Sequence, residues 1–317
     1  KCHIPGSKRH IMPDSNALPG EPDTLMAAPR KVLVIFNPTA GARRRARLTR
    51  ILEIMWSLGA DVTLHETRAR GDAERTAREA STEVYDVIVA AGGDGTINEV
   101  INGLAGRQMP LGIIPLGTAN VLAAELDLPT DDVGLARTIA LGRTRPVNLG
   151  DVNGRRFVMM AGVGFDAHVV ASVDAGLKRL IGKSAYVWET LCGFFRYKFR
   201  SYRLMVDGKP YEVGSAVFAN GHFYGGRFVC AKDAALGDPR LHVCLFKSVG
   251  PWSALRYTAW MVLGRLDKLP DYEVVPATSI IVEGMAGEPV QGDGDIVTRL
   301  PLDARVATDR LDMLVPA

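Results

Sequence analysis

The sequence predicts an α/β protein built as a doubly wound domain followed by an antiparallel β-sandwich. Three observations support this prediction. In the first half, four short apolar runs alternate with helical segments, which is the pattern of right-handed βαβ units around a parallel sheet. In the second half, short strand-like runs are separated by Gly, Asn and Asp, which favours a sandwich. A glycine-rich turn, Gly92-Gly-Asp-Gly-Thr96, lies between a buried run and a helix start.

The doubly wound domain is predicted over residues 31–145. Its first strand is the continuous apolar run at 31–36, which suits a strand buried on both faces of a parallel sheet. The predicted strands are 31–36, 61–66, 86–91 and 111–115, and the predicted helices are 43–58, 72–81, one that continues to 104 and one after 120. Residues 1–30 carry five prolines and no periodicity, so we expect a disordered extension there.

The sandwich domain is predicted over residues 146–317. Its strands are short, and turn-forming residues separate them. The predicted strands are 155–161, 202–206, 215–219, 241–246, 273–275 and 279–282, and the predicted helices are 177–199 and 252–266. We expect the C-terminal tail to return to the first domain.

Composition and charge exclude several classes of protein. Hydrophobic residues make up 47% and charged residues 23% of the chain, which excludes a wholly disordered or fibrous protein. Lys plus Arg number 38 against 35 Asp plus Glu, a net charge of +3, which is too small to indicate nucleic acid as a partner. No apolar run reaches the roughly 18 residues that span a bilayer. Four scattered cysteines form neither a disulfide framework nor a zinc site, which is typical of a cytoplasmic protein.

The glycine-rich turn at residues 92–96 is suited to a phosphate group. Glycines let backbone N–H groups approach a phosphate without a Cβ in the way, and a helix N-terminus favours negative charge. Asp94 stands where a carboxylate could bind Mg²⁺ or a hydroxyl group, and Thr96 is expected to cap the helix. An ordinary βα turn needs one glycine, whereas this turn has three. The turn therefore predicts a phosphate site.

Six motifs resemble those of the diacylglycerol kinase catalytic-domain family, and the bacterial soluble lipid kinases within it most of all. They are Asn37-Pro-x-x-Gly41, Thr67 before Gly71-Asp72-Ala73, Gly92-Gly-Asp-Gly-Thr-Ile-Asn-Glu99, Pro115-Leu-Gly-Thr-Ala-Asn120, Gly162-Val-Gly-Phe-Asp166 and Gln291-Gly-Asp-Gly-Asp295. The resemblance extends from about residue 31 to the C-terminus. It implies a nucleotide-binding domain, a sandwich domain and an active site in the cleft between them.

The resemblance also implies that ATP binds to the first domain, with its phosphates at the glycine-rich turns. The residues expected near the nucleotide are Asn37, Pro38, Thr39, Ala40, Gly41, Thr67, Gly92, Gly93, Asp94, Gly95, Thr96, Asn98, Glu99 and Thr118.

A structural Mg²⁺ is a further implication of the resemblance. Members of this bacterial group carry the ion in an Asp-Asp-Gly loop, which corresponds here to residues 235–240. By position, the ligands would be Asp238 and the backbone carbonyl groups of Ala235 and Arg240. Gly237 and Pro239 depart from the family's pattern.

Two carboxylates near the C-terminus, Asp293 and Asp295, are the expected catalytic groups together with Asp94. Gly294 separates them in a glycine-rich turn. The resemblance puts this turn against the cleft, with the second acidic position as proton acceptor for a lipid hydroxyl. We therefore expect Asp295 to be the base, and Asp293 to orient the site or to take over that role. Asp295 stands where the family more often has Glu, which is one methylene longer.

A basic helical stretch at residues 177–203 is a candidate membrane contact. It carries seven cationic side chains and one acid, Glu189, and its apolar residues recur at helical spacing. One interpretation is a core-facing helix with a solvated face, and the other is a helix that docks on anionic lipid headgroups. The second interpretation predicts a protein that associates peripherally with the membrane, where its lipid substrate lies. The sequence does not decide whether the protein forms a homodimer.

The expected function is ATP-dependent phosphorylation of a lipid hydroxyl, most simply diacylglycerol to phosphatidic acid. A nicotinamide-dinucleotide kinase is the alternative enzyme, because such kinases share the Gly-Gly-Asp-Gly-Thr turn, although the motifs at 115–120 and 291–295 favour the lipid kinase. A non-catalytic lipid-binding module on the same fold is the third interpretation. The carboxylates of Asp94, Asp293 and Asp295 argue against it, because a module without catalysis does not need them.

Overall fold

The computed structural model describes residues 29–40, 42–172 and 199–317. The expected disordered extension lies outside these ranges except for its last two residues. Gly41 and the basic helix predicted at 177–199, apart from Phe199, also lie outside them. No helix in the described ranges is long and apolar enough to cross a membrane.

The first domain is a parallel sheet with helices packed on it, as the sequence predicts. The strands are β1 (Lys31–Phe36), β2 (Asp61–Glu66), β3 (Val87–Gly92) and β4 (Leu111–Pro115), and the helices are α1 (Ala42–Ser57), α2 (Asp72–Glu79), α3 (Asp94–Gly103), α4 (Val121–Glu125) and α5 (Asp132–Leu141). The sheet order is β2-β1-β3-β4. β1 and β3 are apolar throughout their buried length because both of their faces are covered.

The single helix predicted after residue 120 is two helices. α4 ends after five residues, and Asp127 then adopts a left-handed backbone with a φ of 50°. Pro129 follows, and a proline disfavours helical backbone in the residue before it. Asp131 caps α5 by accepting a hydrogen bond from the Gly134 N–H at 2.7 Å.

The second part of the chain is mostly antiparallel strands. Three predicted strands, at 202–206, 215–219 and 241–246, have the expected bounds, whereas the run predicted at 155–161 is divided between two strands. The elements are β5 (Arg143–Val152), β6 (Arg155–Phe157), β7 (Met160–Val163), α6 (Phe165–Ser172), β8 (Tyr202–Val206), β9 (Lys209–Val213), β10 (Ser215–Ala219), β11 (Phe223–Tyr224), β12 (Phe228–Val229), β13 (Leu241–Phe246), α7 (Pro251–Val262), β14 (Tyr272–Ala277), β15 (Ser279–Glu283), β16 (Pro289–Gly292), β17 (Asp295–Arg299) and β18 (Leu302–Val315).

The long last strand, β18, joins the two parts of the protein. It runs parallel to β4, with Met313 opposite Leu111, and antiparallel to β5 and β15. One sheet therefore continues through both parts in the order β2-β1-β3-β4-β18-β15-β8-β9. The second sheet has the order β14-β13-β10-β7-β16-β17, and a buried apolar core that includes Phe218, Val243 and Ile280 lies between the two sheets.

The β16–β17 hairpin brings the C-terminal acidic turn to the first domain. β16 pairs with β7, and Gly292 lies opposite Ala161 in that pairing. The turn that follows Gly292 lies beside the link between β6 and β7, and β6 in turn contacts α3. This arrangement carries residues from the far end of the chain to the glycine-rich turn.

Candidate active site

The glycine-rich turn after β3 presents the N-terminus of α3. The helix begins at Asp94 with Gly93 before it, and the first N–H groups of an α-helix have no acceptor within the helix. Thr96 does not cap the helix, because the helix begins earlier than such a cap requires. Its hydroxyl instead accepts a hydrogen bond from the Asn37 side-chain amide at 3.2 Å, which links the turns after β1 and β3.

Two glycines let the turns after β3 and β4 touch through their backbones. A Cβ on Gly117 would lie 2.7 Å from the Cα of Gly93, and a Cβ on Gly93 would lie 3.3 Å from the Cα of Gly117. Gly92 is equally confined, since its Cβ would lie 2.6 Å from the Thr96 hydroxyl oxygen. Close packing by itself therefore requires glycine at these positions, whether or not a ligand also binds to the turn.

The Asp94 carboxylate connects the same two turns. Its Oδ1 accepts a hydrogen bond from the Val121 N–H at 2.9 Å, and its Oδ2 accepts one from the Asn120 N–H at 3.0 Å. Burial raises the pKa of Asp94, while these hydrogen bonds act in the opposite direction. Asp94 thus holds the start of α4 and, with it, the loop that contains Thr118. Its expected contact with Mg²⁺ or a hydroxyl group stays a prediction.

The turn after β1 completes this edge of the sheet. Asn37 Oδ1 accepts hydrogen bonds from the Thr39 N–H at 3.1 Å and the Thr39 hydroxyl at 2.7 Å. Thr67 is buried, and its N–H donates to the Phe36 carbonyl at 2.8 Å. An open cavity with a volume of about 650 Å³ lies beside this turn, and Pro38 and Thr67 are among the residues that line it. The polar residues expected around a nucleotide therefore meet at the carboxyl ends of β1, β2 and β3.

Other expected nucleotide residues lie near this edge but have protein partners. Glu99 accepts a hydrogen bond from the Ala73 N–H at 3.3 Å and so fixes the start of α2. Asn98 is buried and faces the C-terminal acidic turn. Thr118 is exposed. Gly41 lies outside the described residues.

Asp293 holds the C-terminal turn against both domains. Its carboxylate accepts four hydrogen bonds, from the Asn98 side-chain amide and the Val158 N–H at 2.8 Å each, from the Met159 N–H at 2.8 Å and from the Met160 N–H at 3.1 Å. Burial raises the pKa of Asp293 although these hydrogen bonds favour the charged form. Because both oxygens are occupied by N–H donors, this carboxylate acts as a clamp.

Asp295 has the opposite environment. Its Oδ2 lies 3.1 Å from the position that a Cβ on Gly95 would take, so the carboxylate touches the glycine-rich turn. Its Oδ1 lies 3.6 Å from an Arg70 guanidinium nitrogen, and 44% of its side chain is exposed. The two acids of the turn therefore differ. Both carboxylate oxygens of Asp293 accept hydrogen bonds within the protein, whereas Asp295 faces the edge where the phosphate site is expected.

A chain of buried and partly buried side chains, which the sequence did not reveal, supports this turn. Gln291 donates to Asp166 Oδ2 at 2.7 Å and accepts a hydrogen bond from the Gly294 N–H at 3.1 Å. The Tyr224 hydroxyl donates to the other oxygen of Asp166. Burial raises the pKa of Asp166. Asp166 and Gln291 both belong to motifs noted in the sequence, but only the folded chain shows that they fix the backbone between the two acids.

A second unassigned network joins α3 to the sandwich. The Asn102 side chain donates to the Arg156 carbonyl at 3.0 Å and accepts from the Arg156 N–H at 2.9 Å. The Arg156 guanidinium forms ion pairs with Asp151 and with Asp309, the latter at 2.7 Å. These contacts set the relative position of the glycine-rich turn and the C-terminal acidic turn.

Comparison with known proteins identifies the family. Residues 31–152 match the family described as diacylglycerol kinase catalytic domain, and residues 159–315 match the family described as YegS C-terminal NAD kinase beta sandwich-like domain. A protein of Bacillus subtilis named diacylglycerol kinase is 32% identical over 241 residues, which cover 74% of this chain and 80% of the relative. The chain belongs to the diacylglycerol kinase family.

Other members of the diacylglycerol kinase family extend the match over most of the chain. A diacylglycerol kinase of Staphylococcus aureus is 27% identical over 292 residues, which cover 90% of this chain and 93% of the relative. A crystal structure of a diacylglycerol kinase from Bacillus anthracis superposes with a TM-score of 0.73 at 27% identity and covers 90% of this chain and 97% of that one. These matches confirm the resemblance and the fold class that the sequence predicts.

The loop expected to bind a structural Mg²⁺ has a different arrangement in this diacylglycerol kinase family member. Both oxygens of Asp238 accept hydrogen bonds from the Arg240 guanidinium at 3.0 Å, and His242 Nε2 lies 3.2 Å from Oδ2. The Ala235 carbonyl accepts a hydrogen bond from the Asp238 N–H at 2.8 Å. Arg240 lowers the pKa of Asp238. In the described part of the chain no group of three or more His, Cys, Asp or Glu could hold a metal. An ion in this loop would have to displace the Arg240 guanidinium from both oxygens of Asp238, so we expect no structural Mg²⁺ here.

Removal of divalent metal is expected to leave the stability of the nucleotide-free protein unchanged. An ion that binds the native state and is present at 100 times its Kd would raise the free energy of unfolding by about 2.7 kcal/mol. We expect no such gain, so the thermal midpoints in EDTA and in millimolar Mg²⁺ should agree within about 2 °C. Scanning calorimetry in the two buffers measures this. Arg240→Gln frees the Asp238 carboxylate and is the comparison variant. A rise of several degrees with Mg²⁺ in the unsubstituted protein would contradict the prediction.

Proposed function

We propose that this protein transfers the γ-phosphoryl group of ATP, taken as its Mg²⁺ complex, to the hydroxyl group of a membrane lipid, with diacylglycerol as the acceptor and phosphatidic acid as the product. One observation carries the proposal: the Asp295 carboxylate, from the far end of the chain, lies against Gly95 in the glycine-rich turn. If Asp295 is the base and the turn holds the phosphates, this contact would bring the two together. The names of the bacterial relatives support diacylglycerol as the acceptor.

Catalysis of phosphoryl transfer depends mainly on the positioning of the reactants and on the compensation of their negative charge. The N–H groups at the start of α3 would hold the phosphates, and Mg²⁺ bound to the triphosphate supplies neutralisation of its negative charge. Asp295 accepts the proton of the lipid hydroxyl as that oxygen bonds to the γ-phosphorus. The bond from the γ-phosphorus to the bridging oxygen breaks, and ADP leaves with the electron pair. Asp293 and Gln291 position Asp295 through the turn.

Transfer of label from [γ-³²P]ATP to a panel of acceptors tests the proposal. The panel contains dioleoylglycerol, monooleoylglycerol, phosphatidylglycerol and sphingosine in detergent micelles, and NAD in a separate aqueous reaction. We expect label in the dioleoylglycerol reaction, and about 10²–10⁴-fold less in a parallel preparation of Asp295→Asn, which controls for kinases of the expression host. Label in NAD alone would support the dinucleotide kinase instead. Label in no acceptor would favour the non-catalytic module.

Gly117→Ala tests whether the contact between the two turns shapes the nucleotide site. The new Cβ would lie 2.7 Å from the Gly93 Cα and 2.6 Å from Asn120 Oδ1, so we expect a loss of about 1–3 kcal/mol in the free energy of unfolding and a higher KM for ATP. Urea unfolding and steady-state kinetics measure the two effects. Gly237→Ala is the matched control, because its Cβ would meet nothing within 4 Å. An unchanged KM in Gly117→Ala would place the nucleotide elsewhere.

A further inference from the structure

Helix α7 turns an apolar face toward solvent. Trp252 is 81% exposed, Leu255 52%, Val262 60% and Leu263 67%. With 3.6 residues per turn, side chains at these spacings lie along one side of a helix and its C-terminal cap. A water-facing helix ordinarily turns its polar side outward, and a contiguous exposed apolar surface marks an interaction site.

The opposite face of α7 is firmly packed. Tyr257 is buried, and its ring meets Phe246 edge to face at 5.0 Å between centroids. Its hydroxyl donates to the Asp271 carboxylate at 2.6 Å and accepts a hydrogen bond from the Ser248 N–H at 3.0 Å. The helix therefore presents its apolar residues on a fixed support, so their exposure is a property of the folded domain.

The stretch that contains α7 lacks the acidic side chains that a negatively charged surface would repel. No Asp or Glu occurs from Lys247 to Leu266, whereas Arg256 and Arg265 occur within that stretch. Arg256 stacks on Tyr257 and pairs with Asp271, and Lys247 pairs with Glu273. Since most of these cations are internally compensated, the apolar face would supply most of the binding. Long cationic side chains beside such a face can reach lipid phosphates while their stems stay apolar.

The β11–β12 hairpin connects α7 with the side chains that support the C-terminal turn. The β11–β12 hairpin contacts α7 through β12 and α4 through β11. Tyr224 of β11 donates to Asp166, which holds Gln291 in the C-terminal turn. Phe228 of β12 is 43% exposed and extends the apolar character of this side. A series of contacts therefore runs from α7 through this hairpin to the side chains that support the C-terminal turn.

We propose that α7 docks this protein on the bilayer, with Trp252, Leu255, Val262 and Leu263 inserted at the level of the lipid head groups. The inference rests on the proposed function in one respect, namely that the acceptor lies in the bilayer. Helices with one apolar face, Trp and flanking cations bind in the plane of such an interface. The basic stretch at residues 177–203, the candidate membrane contact predicted from the sequence, lies outside the described residues except for 199–203.

A triple variant, Trp252→Ser with Leu255→Ser and Leu263→Ser, tests the docking surface. Sedimentation with vesicles of equimolar phosphatidylglycerol and phosphatidylcholine should show at least about a tenfold weaker partition, because burial of one such side chain already contributes about that factor. Activity on diacylglycerol dispersed in detergent micelles should stay within about twofold, since detergent removes the docking step. Trp56→Ser is the matched control: Trp56 lies on α1 of the first domain and is 52% exposed.

A second measurement does not depend on the stability of the triple variant. Vesicles that contain brominated phosphatidylcholine should quench part of the tryptophan fluorescence, and Trp252→Phe should remove that part. Unchanged partition of the triple variant, or unchanged quenching in Trp252→Phe, overturns the proposal. Loss of a dimer in analytical ultracentrifugation with unchanged partition overturns it in favour of contact with a second copy. Vesicle binding as expected, with no lipid phosphorylated in micelles, refutes the proposed function alone.

Discussion

Asp295→Asn is expected to lower turnover by about 10²–10⁴-fold, the range that a general base contributes, with little change in the affinity for ATP. The Asp295 carboxylate touches Gly95 at the edge of the sheet where the phosphate site is expected, and 44% of the side chain is exposed. Asn has nearly the same shape but does not accept a proton. Steady-state kinetics on micellar diacylglycerol measure turnover, and calorimetric titration measures ATP binding.

Two further readouts separate a base from a structural residue at position 295. The acidic limb of the pH profile of kcat/KM should disappear in the variant, because that limb reports the titration of the essential base. The free energy of unfolding should stay close to that of the unsubstituted protein. Asp303→Asn is the control, since Asp303 is an exposed residue of β18. Full activity of Asp295→Asn together with an inactive but folded Asp293→Asn would exchange the two roles.

The first domain was predictable because local sequence determines its strands. The runs at 31–36, 61–66 and 111–115 have the predicted bounds, since turn-forming residues flank each of them. β5 and β18 were not predicted. β5 contains Pro146 and Gly150, which disfavour strands, and it is a strand because β18 pairs with it along most of its length. Pairing between segments about 150 residues apart is a tertiary property that no local pattern records.

The candidate site was predictable by residue type and only partly by role. The glycines at 92–95 could be recognised because close backbone approach needs them. The clamp made by Asp293 could not be recognised, because its donors are mostly backbone N–H groups 133 to 135 residues away in the chain. The pairing that disfavours Mg²⁺ at Asp238 had a local signal, because Arg240 lies two residues away and bonds both oxygens of the carboxylate.

Asp293→Asn is expected to lower the free energy of unfolding by about 2–4 kcal/mol, because two N–H donors lose a good acceptor, and to lower turnover as well. The carboxylate accepts four hydrogen bonds from N–H donors, whereas an amide has one acceptor oxygen and turns its NH₂ group toward the remaining donors. Relief of a buried charge offsets part of this loss, since burial raises the pKa of Asp293. Asn tolerates the left-handed backbone at this position, where φ is 50°.

Asp207→Asn is the matched control for this change. Asp207 also has a left-handed backbone, with a φ of 44°, and its carboxylate accepts hydrogen bonds from the N–H groups of Thr278 and Ser279. It differs from Asp293 in being exposed and in joining two strands of the sandwich. Because water can replace the lost acceptor there, we expect urea unfolding to show a loss below about 1 kcal/mol and kinetics to show unchanged turnover. Equal destabilisation in the two variants would mean that Asp293 contributes only as a turn residue, without joining the two domains at the active site.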